Sequence, residues 1–250
     1  MRSAVVWSLA VPILLAVAGA VVGCTSSPVA DPEVGVDPAG TLTYGFDLQW
    51  AGDDERYELI SILPVGRTAV ITVSLQSQGE SVDVDLEATV VRAGADGVSQ
   101  DIALDVTAVR SDDGATIDGL SSIVGASSVV RRDQRHAVVE QLLDVPTDLG
   151  FRADAVARQA LRAPFSLAGP LPVLPIGDGA TWSIESLDGP ETIRVIEVAV
   201  IQVDSDAYAL EFELANGSVE TVGRIGAMLP DLQVITLDDA VVTVTAERSN

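Results

Sequence analysis

Few side chains in this sequence are equipped for chemistry. The chain has a single histidine, His136, and a single cysteine, Cys24, and all 14 of its basic residues are arginine. Without lysine there is no Schiff-base chemistry and no P-loop lysine. Nucleophilic catalysis needs a base beside the nucleophile, and His136 is the only imidazole that could serve. It stands in Arg135-His136-Ala137-Val138-Val139-Glu140, which reads as a strand after a turn at Asp133-Gln134. The serines of Gly119-Leu120-Ser121-Ser122 and Gly125-Ala126-Ser127-Ser128 do not form a G-x-S-x-G elbow. One cysteine permits neither an internal disulfide nor a Cys-rich zinc site. No catalytic residue, cofactor ligand or metal ligand is assigned, and the protein reads as a non-enzyme.

Carboxylates are the abundant reactive group. Asp83, Asp85 and Glu87 line one face of a run at steps of about 6.6 Å, and Glu211 and Glu213 do likewise. Paired carboxylates can run glycoside hydrolysis or hold calcium. No Asp-x-Asp-x-Asp-Gly loop accompanies them, and outside the N-terminal segment only Trp50 and Trp182 could form a sugar platform. They read as the solvated faces of antiparallel strands. Asp204-Ser205-Asp206 and Asp238-Asp239 read as turns, with weak cation binding as the alternative, and Asn216-Gly217-Ser218 reads as a turn despite its glycosylation spacing. The net charge of −23 has the wrong sign for a nucleic-acid partner.

Strands must position these groups. In Ser81-Val82-Asp83-Val84-Asp85-Leu86-Glu87-Ala88-Thr89-Val90 every even position is apolar and every odd one polar, the period of a strand with one buried face. The same alternation runs through 68–75, 102–108, 208–214 and 242–247. It predicts antiparallel sheet with one wet face, mainly β in fold class. Between the strands stand turn signals at Gly94-Ala95-Asp96-Gly97, Asp112-Asp113-Gly114, Asp188-Gly189-Pro190 and Asn216-Gly217. In Thr192 to Val203 the apolar phase changes after Val195, which suggests a bulge there or a strand covered on both faces.

Helix is confined to one or two short pieces. Leu149, Ala153, Val156, Ala157, Ala160 and Leu161 form one stripe that Pro164 stops, and Ile117, Leu120 and Val124 suggest a shorter helix before Gly125. The prolines at 170, 172 and 175 make 170–179 an extended crossing. The β-rich domain, 41–250, thus divides into possible halves 41–145 and 180–250, joined by the helix and crossing of 146–179.

The N-terminus explains Cys24. Arg2 precedes an uncharged run from Ala4 to Val22, a charged segment followed by an apolar one. The run is about long enough to span a bilayer as a retained helix, which takes about 20 residues. Val21-Val22-Gly23-Cys24, however, resembles the bacterial lipobox. The resemblance implies that 1–23 is a lipoprotein signal peptide and that Cys24 is acylated and becomes the first mature residue. Two or three acyl chains hold a protein stably on a membrane, so the implied location is the outer face of the cytoplasmic membrane. Residues 24–40 hold three prolines and few large apolar side chains, and read as a flexible tether with a reach of about 20–24 Å.

A second resemblance covers the helix, the proline-rich crossing and Pro175-Ile176-Gly177-Asp178-Gly179-Ala180-Thr181-Trp182. This order is similar to that in bacterial, especially actinobacterial, lipoproteins of unknown function. It implies a fold and a location and transfers no catalytic residue.

Residues 131–162 carry six arginines against five acids, in a mature chain whose net charge is −24. These arginines either pair with the protein's own acidic faces or face anionic headgroups. The expectation is a membrane-anchored, non-enzymatic binding or envelope-support module, its partner an unknown protein or apolar ligand. The alternative is a carrier that curves its sheet around lipids or other apolar molecules.

Overall fold

The computed structural model describes residues 45–59, 63–77, 79–94, 99–111, 119–133, 135, 137–165, 171–187, 193–214 and 217–247. Cys24, the apolar run, the tether and His136 lie outside them, as do the turn signals at 95–97, 112–114 and 188–190.

The described residues form one antiparallel sheet of twelve strands. In chain order they are β1 (Gly45–Trp50), β2 (Thr68–Ser77), β3 (Glu80–Ala93), β4 (Gln100–Ser111), β5 (Ser127–Arg132), β6 (Val138–Asp144), β7 (Thr181–Leu187), β8 (Ile193–Val203), β9 (Ala207–Leu214), β10 (Gly217–Arg224), β11 (Leu232–Leu237) and β12 (Ala240–Glu247). In space they run β1-β7-β8-β9-β10-β11-β12-β2-β3-β4-β5-β6. Two meanders, β2–β6 and β7–β12, therefore share a seam where β12 pairs with β2 from Ala240↔Ser77 to Glu247↔Val70. β1 leaves the first half of the sequence and pairs with β7 of the second, Phe46 opposite Ile184. The sheet curls far enough that Arg135, in the β5–β6 turn, stacks 4.8 Å over the ring of Phe46 in β1.

Alternation fixes the inner face. Val82, Val84, Leu86, Ala88 and Val90 of β3 are buried, as are Ile71, Val73 and Leu75 of β2, Leu210 and Phe212 of β9, and Val242 and Val244 of β12. A roll of twelve strands encloses more space than side chains alone can fill, since about eight already leave little room. Helix α1 (Phe151–Arg162) supplies the missing volume. Ala153, Val156, Ala157, Ala160 and Leu161 face inward as the stripe predicts, and their small size lets the helix approach the sheet closely. α1 ends at Arg162, and Pro164 sits in a 3₁₀ turn, Ala163–Phe165, that continues into the core.

Three expectations change in detail. Ile117 of the second helix lies outside the described residues, and what is described there is a single 3₁₀ turn, Leu120–Ile123, bounded by Gly119 and Gly125 at positive φ, with Ile123 buried and Val124 exposed. β8 pairs with β7 in unbroken register from Ile193 to Ala199, so there is no bulge at Val195. The irregularity falls between Val200 and Gln202 against β9 and turns Ile201 out to solvent. The crossing is extended, but it forms one antiparallel bridge, Ile176 with Tyr57. There the chains approach so closely that a Cβ on Gly177 would lie 2.6 Å from the Glu55 carbonyl oxygen, which requires glycine.

Candidate functional site

The carboxylates singled out above are surface groups, in two different settings. Asp83 and Asp85 of β3 stand opposite Ser74 and Thr72 of β2 and accept hydrogen bonds from their hydroxyls, at 2.6 and 2.9 Å. Arg110 of β4 also donates to both oxygens of Asp85. The guanidinium, with help from Thr72, holds the Asp85 carboxyl below its usual range. Glu211 and Glu213 instead lie directly opposite other acids, Glu220 and Glu197. Asp204 closes a turn, its Oδ1 accepting the N–H of Asp206 and of Ala207 at 2.8 Å, which lowers its pKa. Asp238 and Asp239 form the β11–β12 turn. Among the described residues no three His, Cys, Asp or Glu side chains converge as metal ligands would.

Three of the six arginines of 131–162 pair with the protein's own acids, and Arg162 is buried with Nε and Nη1 unpaired among the described residues. Arg131 bonds Asp101 at 2.9 Å and Glu140 at 3.0 Å, Arg152 bonds Glu80 at 2.8 Å, and Arg158 bonds Asp154 at 2.9 Å. Arg135 lies over Phe46, while Arg132 and Arg162 are buried.

The described residues enclose a cavity of about 530 Å³ at one end of the sheet. Ala69 and Ala246 line it, continuing the inward rows of Ile71 and Val244 toward the open end. The wall is the β10–β11 loop, 225–231, which contributes Ile225, Met228 and Leu229. Arg67, Asp206, Arg224, Asp231 and Glu247 make the lining a mixed one, apolar and charged. Thr68 is the hydroxyl side chain among the described residues that line the cavity.

The loop is fastened from both sides. On the cavity's own lining Arg224 grips Asp231 through two bonds, 2.7 and 2.6 Å, a fork that fits a carboxylate. On the inside Arg132 extends from β5 and donates to the Met228 carbonyl at 2.9 Å and to Gln100 Oε1 at 3.0 Å. Gln100 in turn donates to the Leu63 carbonyl at 2.6 Å. A buried polar chain thus ties the segment before β2 to the loop at the mouth.

Arg132 is 1% exposed, and both partners of its guanidinium are neutral oxygens. Burial lowers its pKa to about 10. Tyr208, within electrostatic reach, is raised to about 12 by its own burial, against the pull of Arg132. The Tyr208 ring fills the space over Gly223, where a Cβ would lie 2.5 Å from the phenol oxygen. One inward step along β10 is Thr221, and opposite it in register on β11 is Gln233. These two are 2% and 1% exposed, and neither the Thr221 hydroxyl nor either Gln233 amide atom has a hydrogen-bond partner among the described residues. Arg132 Nε lacks one too.

Alternation could not single out these residues. In Ser127-Ser128-Val129-Val130-Arg131-Arg132 and in Leu232-Gln233-Val234-Ile235-Thr236-Leu237 both phases contain polar and apolar residues. Only the register with the neighbouring strands decides which face turns inward.

The chain matches no family model, no curated protein and no solved structure.

Proposed function

We propose that this is a lipid-anchored extracytoplasmic protein whose β domain binds a ligand without transforming it. The observation that carries the anchor is Cys24 itself: the chain's one cysteine follows Val21-Val22-Gly23, directly after the uncharged run Ala4–Val22. Acylation there would hold the domain on the outer face of the cytoplasmic membrane, with 24–40 as its tether. The binding role is supported by the cavity, whose volume of about 530 Å³ falls in the range of small-molecule sites. Its lining joins apolar side chains, Ile225, Met228 and Leu229, to charged ones, Arg67, Asp206, Arg224, Asp231 and Glu247, that could orient a ligand. Trapping with nucleophile-directed probes tests the non-enzymatic part. No adduct is expected, and a stoichiometric adduct away from Cys24 would sink it.

One observation favours a second reading, a carrier of apolar molecules: Ala69, Ala246, Met228 and Leu229 give the cavity a largely apolar floor. Native mass spectrometry of the full chain released from nanodiscs separates the two. A carrier brings along a non-covalent apolar molecule in addition to its acyl chains, whereas bare protein counts against transport.

A further inference from the structure

The charges that line the cavity do not cancel. Arg224 and Asp231 satisfy each other through their two bonds. Three charged side chains of the lining are left over, Arg67, Asp206 and Glu247, and none of them meets an opposite charge among the described residues. Asp206 is not consumed by its own turn either, because Asp204 Oδ1 accepts that turn's N–H groups, from Asp206 and Ala207. Two unpaired carboxylates thus stand against one unpaired guanidinium, an excess of one negative charge on the lining. The backbone ties their segments to the loop: the Ile225 N–H donates to the Asp206 carbonyl at 3.0 Å, and the Ala246 N–H, next to Glu247, donates to the Asp231 carbonyl at 3.1 Å. The loop itself supplies the apolar part of the lining through Ile225, Met228 and Leu229.

We propose that this cavity binds a small amphipathic amine, its ammonium drawn to Asp206 and Glu247 and its apolar body lying on Ile225, Met228 and Leu229. This rests on the binding role proposed above and names its ligand class. One ammonium brings the lining to neutrality, whereas a carboxylate ligand would double its negative excess and an alcohol would leave both acids unanswered. The net charge of −23 adds a long-range attraction for cations over anions. Asp206 and Glu247 are exposed, so water screens each of them and each contributes a modest preference. Affinity therefore needs the apolar body, and the charges select the head.

The test is equilibrium dialysis of the full chain in zwitterionic nanodiscs against labelled octylamine, with empty nanodiscs as the blank. Octanol serves as the neutral control, octanoate as the anion, 2-aminooctanoate as the zwitterion and methylamine as the head alone. The expected result is one saturable octylamine per chain, with octanol weaker by about threefold to tenfold and octanoate and the zwitterion weaker still. Methylamine, lacking the body, should bind more weakly than octanol. Asp206→Asn combined with Glu247→Gln should lose octylamine by about tenfold and leave octanol within about twofold. Arg67→Gln removes a repelling cation and should bind octylamine about threefold more tightly. Asp238→Asn combined with Asp239→Asn removes the same charge from the turn at the other end of β11 and should change octylamine by less than about twofold. All five substituted side chains are exposed, so the variants keep the fold. Equal binding of octylamine and octanol overturns the amine class and leaves the apolar binding reading standing. Octanoate or the zwitterion matching octylamine overturns it as well. An equal loss from the 238–239 variant and the 206–247 variant would show that bulk charge attracts the amine, and overturns the site. The absence of saturable binding by any probe overturns the proposal together with the binding role.

Discussion

The two meanders that share the seam differ on both faces. Outside, most acids of β3 and β4 meet a hydroxyl or a cation, Asp83 and Asp85 through hydroxyls and Arg110 and Asp101 through Arg92 and Arg131, while Glu87 stands opposite Asp105. On β8–β10 the acids face one another instead, Glu211 against Glu220 and Glu213 against Glu197, with Gln49 donating to Glu197 at 3.2 Å. Inside, β2 and β3 present only apolar side chains, whereas β10 and β11 bury Thr221 and Gln233 without partners. The first half has an unpaired buried group as well, Arg132 Nε on β5, but on β10 and β11 two such residues stand opposite each other, next to the loop that walls the cavity.

The largest effects test whether the halves are one folding unit. Leu86→Ala in β3 and Trp182→Ala in β7 each truncate a fully buried side chain and should cost about 2–5 and 3–5 kcal/mol respectively. Because one core spans the seam, each variant should still melt in a single transition at a lower temperature. A calorimetric scan with two separate transitions would mean that the halves fold independently.

Gln233→Leu comes next, with the opposite sign. Removing two unpaired amide atoms from a fully buried position should stabilise the protein by about 1–3 kcal/mol. Chemical denaturation measures it, and a lower midpoint would show that the amide is satisfied in the native state.

A smaller effect distinguishes the outer faces by pH. Asp85 has its carboxyl pKa lowered in the folded state, so its contribution is complete above the ordinary aspartate value of about 4 and disappears as pH falls through the lowered one. Asp85→Asn should cost a few tenths to about 1 kcal/mol at neutral pH. The variant should then lose less stability than wild type between pH 5 and pH 2, and parallel acid-denaturation curves would contradict the assignment. The smallest change is Glu211→Gln, which relieves a like-charge pair. It should stabilise by a few tenths of a kcal/mol at low ionic strength, and the gain should vanish in high salt.

Much of the fold was legible because one face of each strand is buried. The rows of β2, β3, β9 and β12 and the stripe of α1 follow directly from alternation and from spacings of three and four. The pairing of β1 with β7 was not legible, because nothing local in Gly45–Trp50 says which half it joins. The phase change after Val195 misleads for a similar reason: Ile196, Val198 and Val200 define the inner face, and the irregularity waits until Gln202. The mouth was hidden altogether. It is assembled by residues far apart in sequence, Ala69 with Ala246 and Arg132 with Met228, and their approach is set by the curl of the whole sheet.

The anchor is the claim on which location depends, and labelling with palmitate tests it directly. Wild-type protein should incorporate the label, partition into detergent and migrate without residues 1–23. Cys24→Ala should remain unlabelled and persist as the longer precursor, held only through Ala4–Val22. Wild type and Cys24→Ala migrating alike, with neither taking up label, would contradict the lipid anchor and make Ala4–Val22 a retained membrane helix.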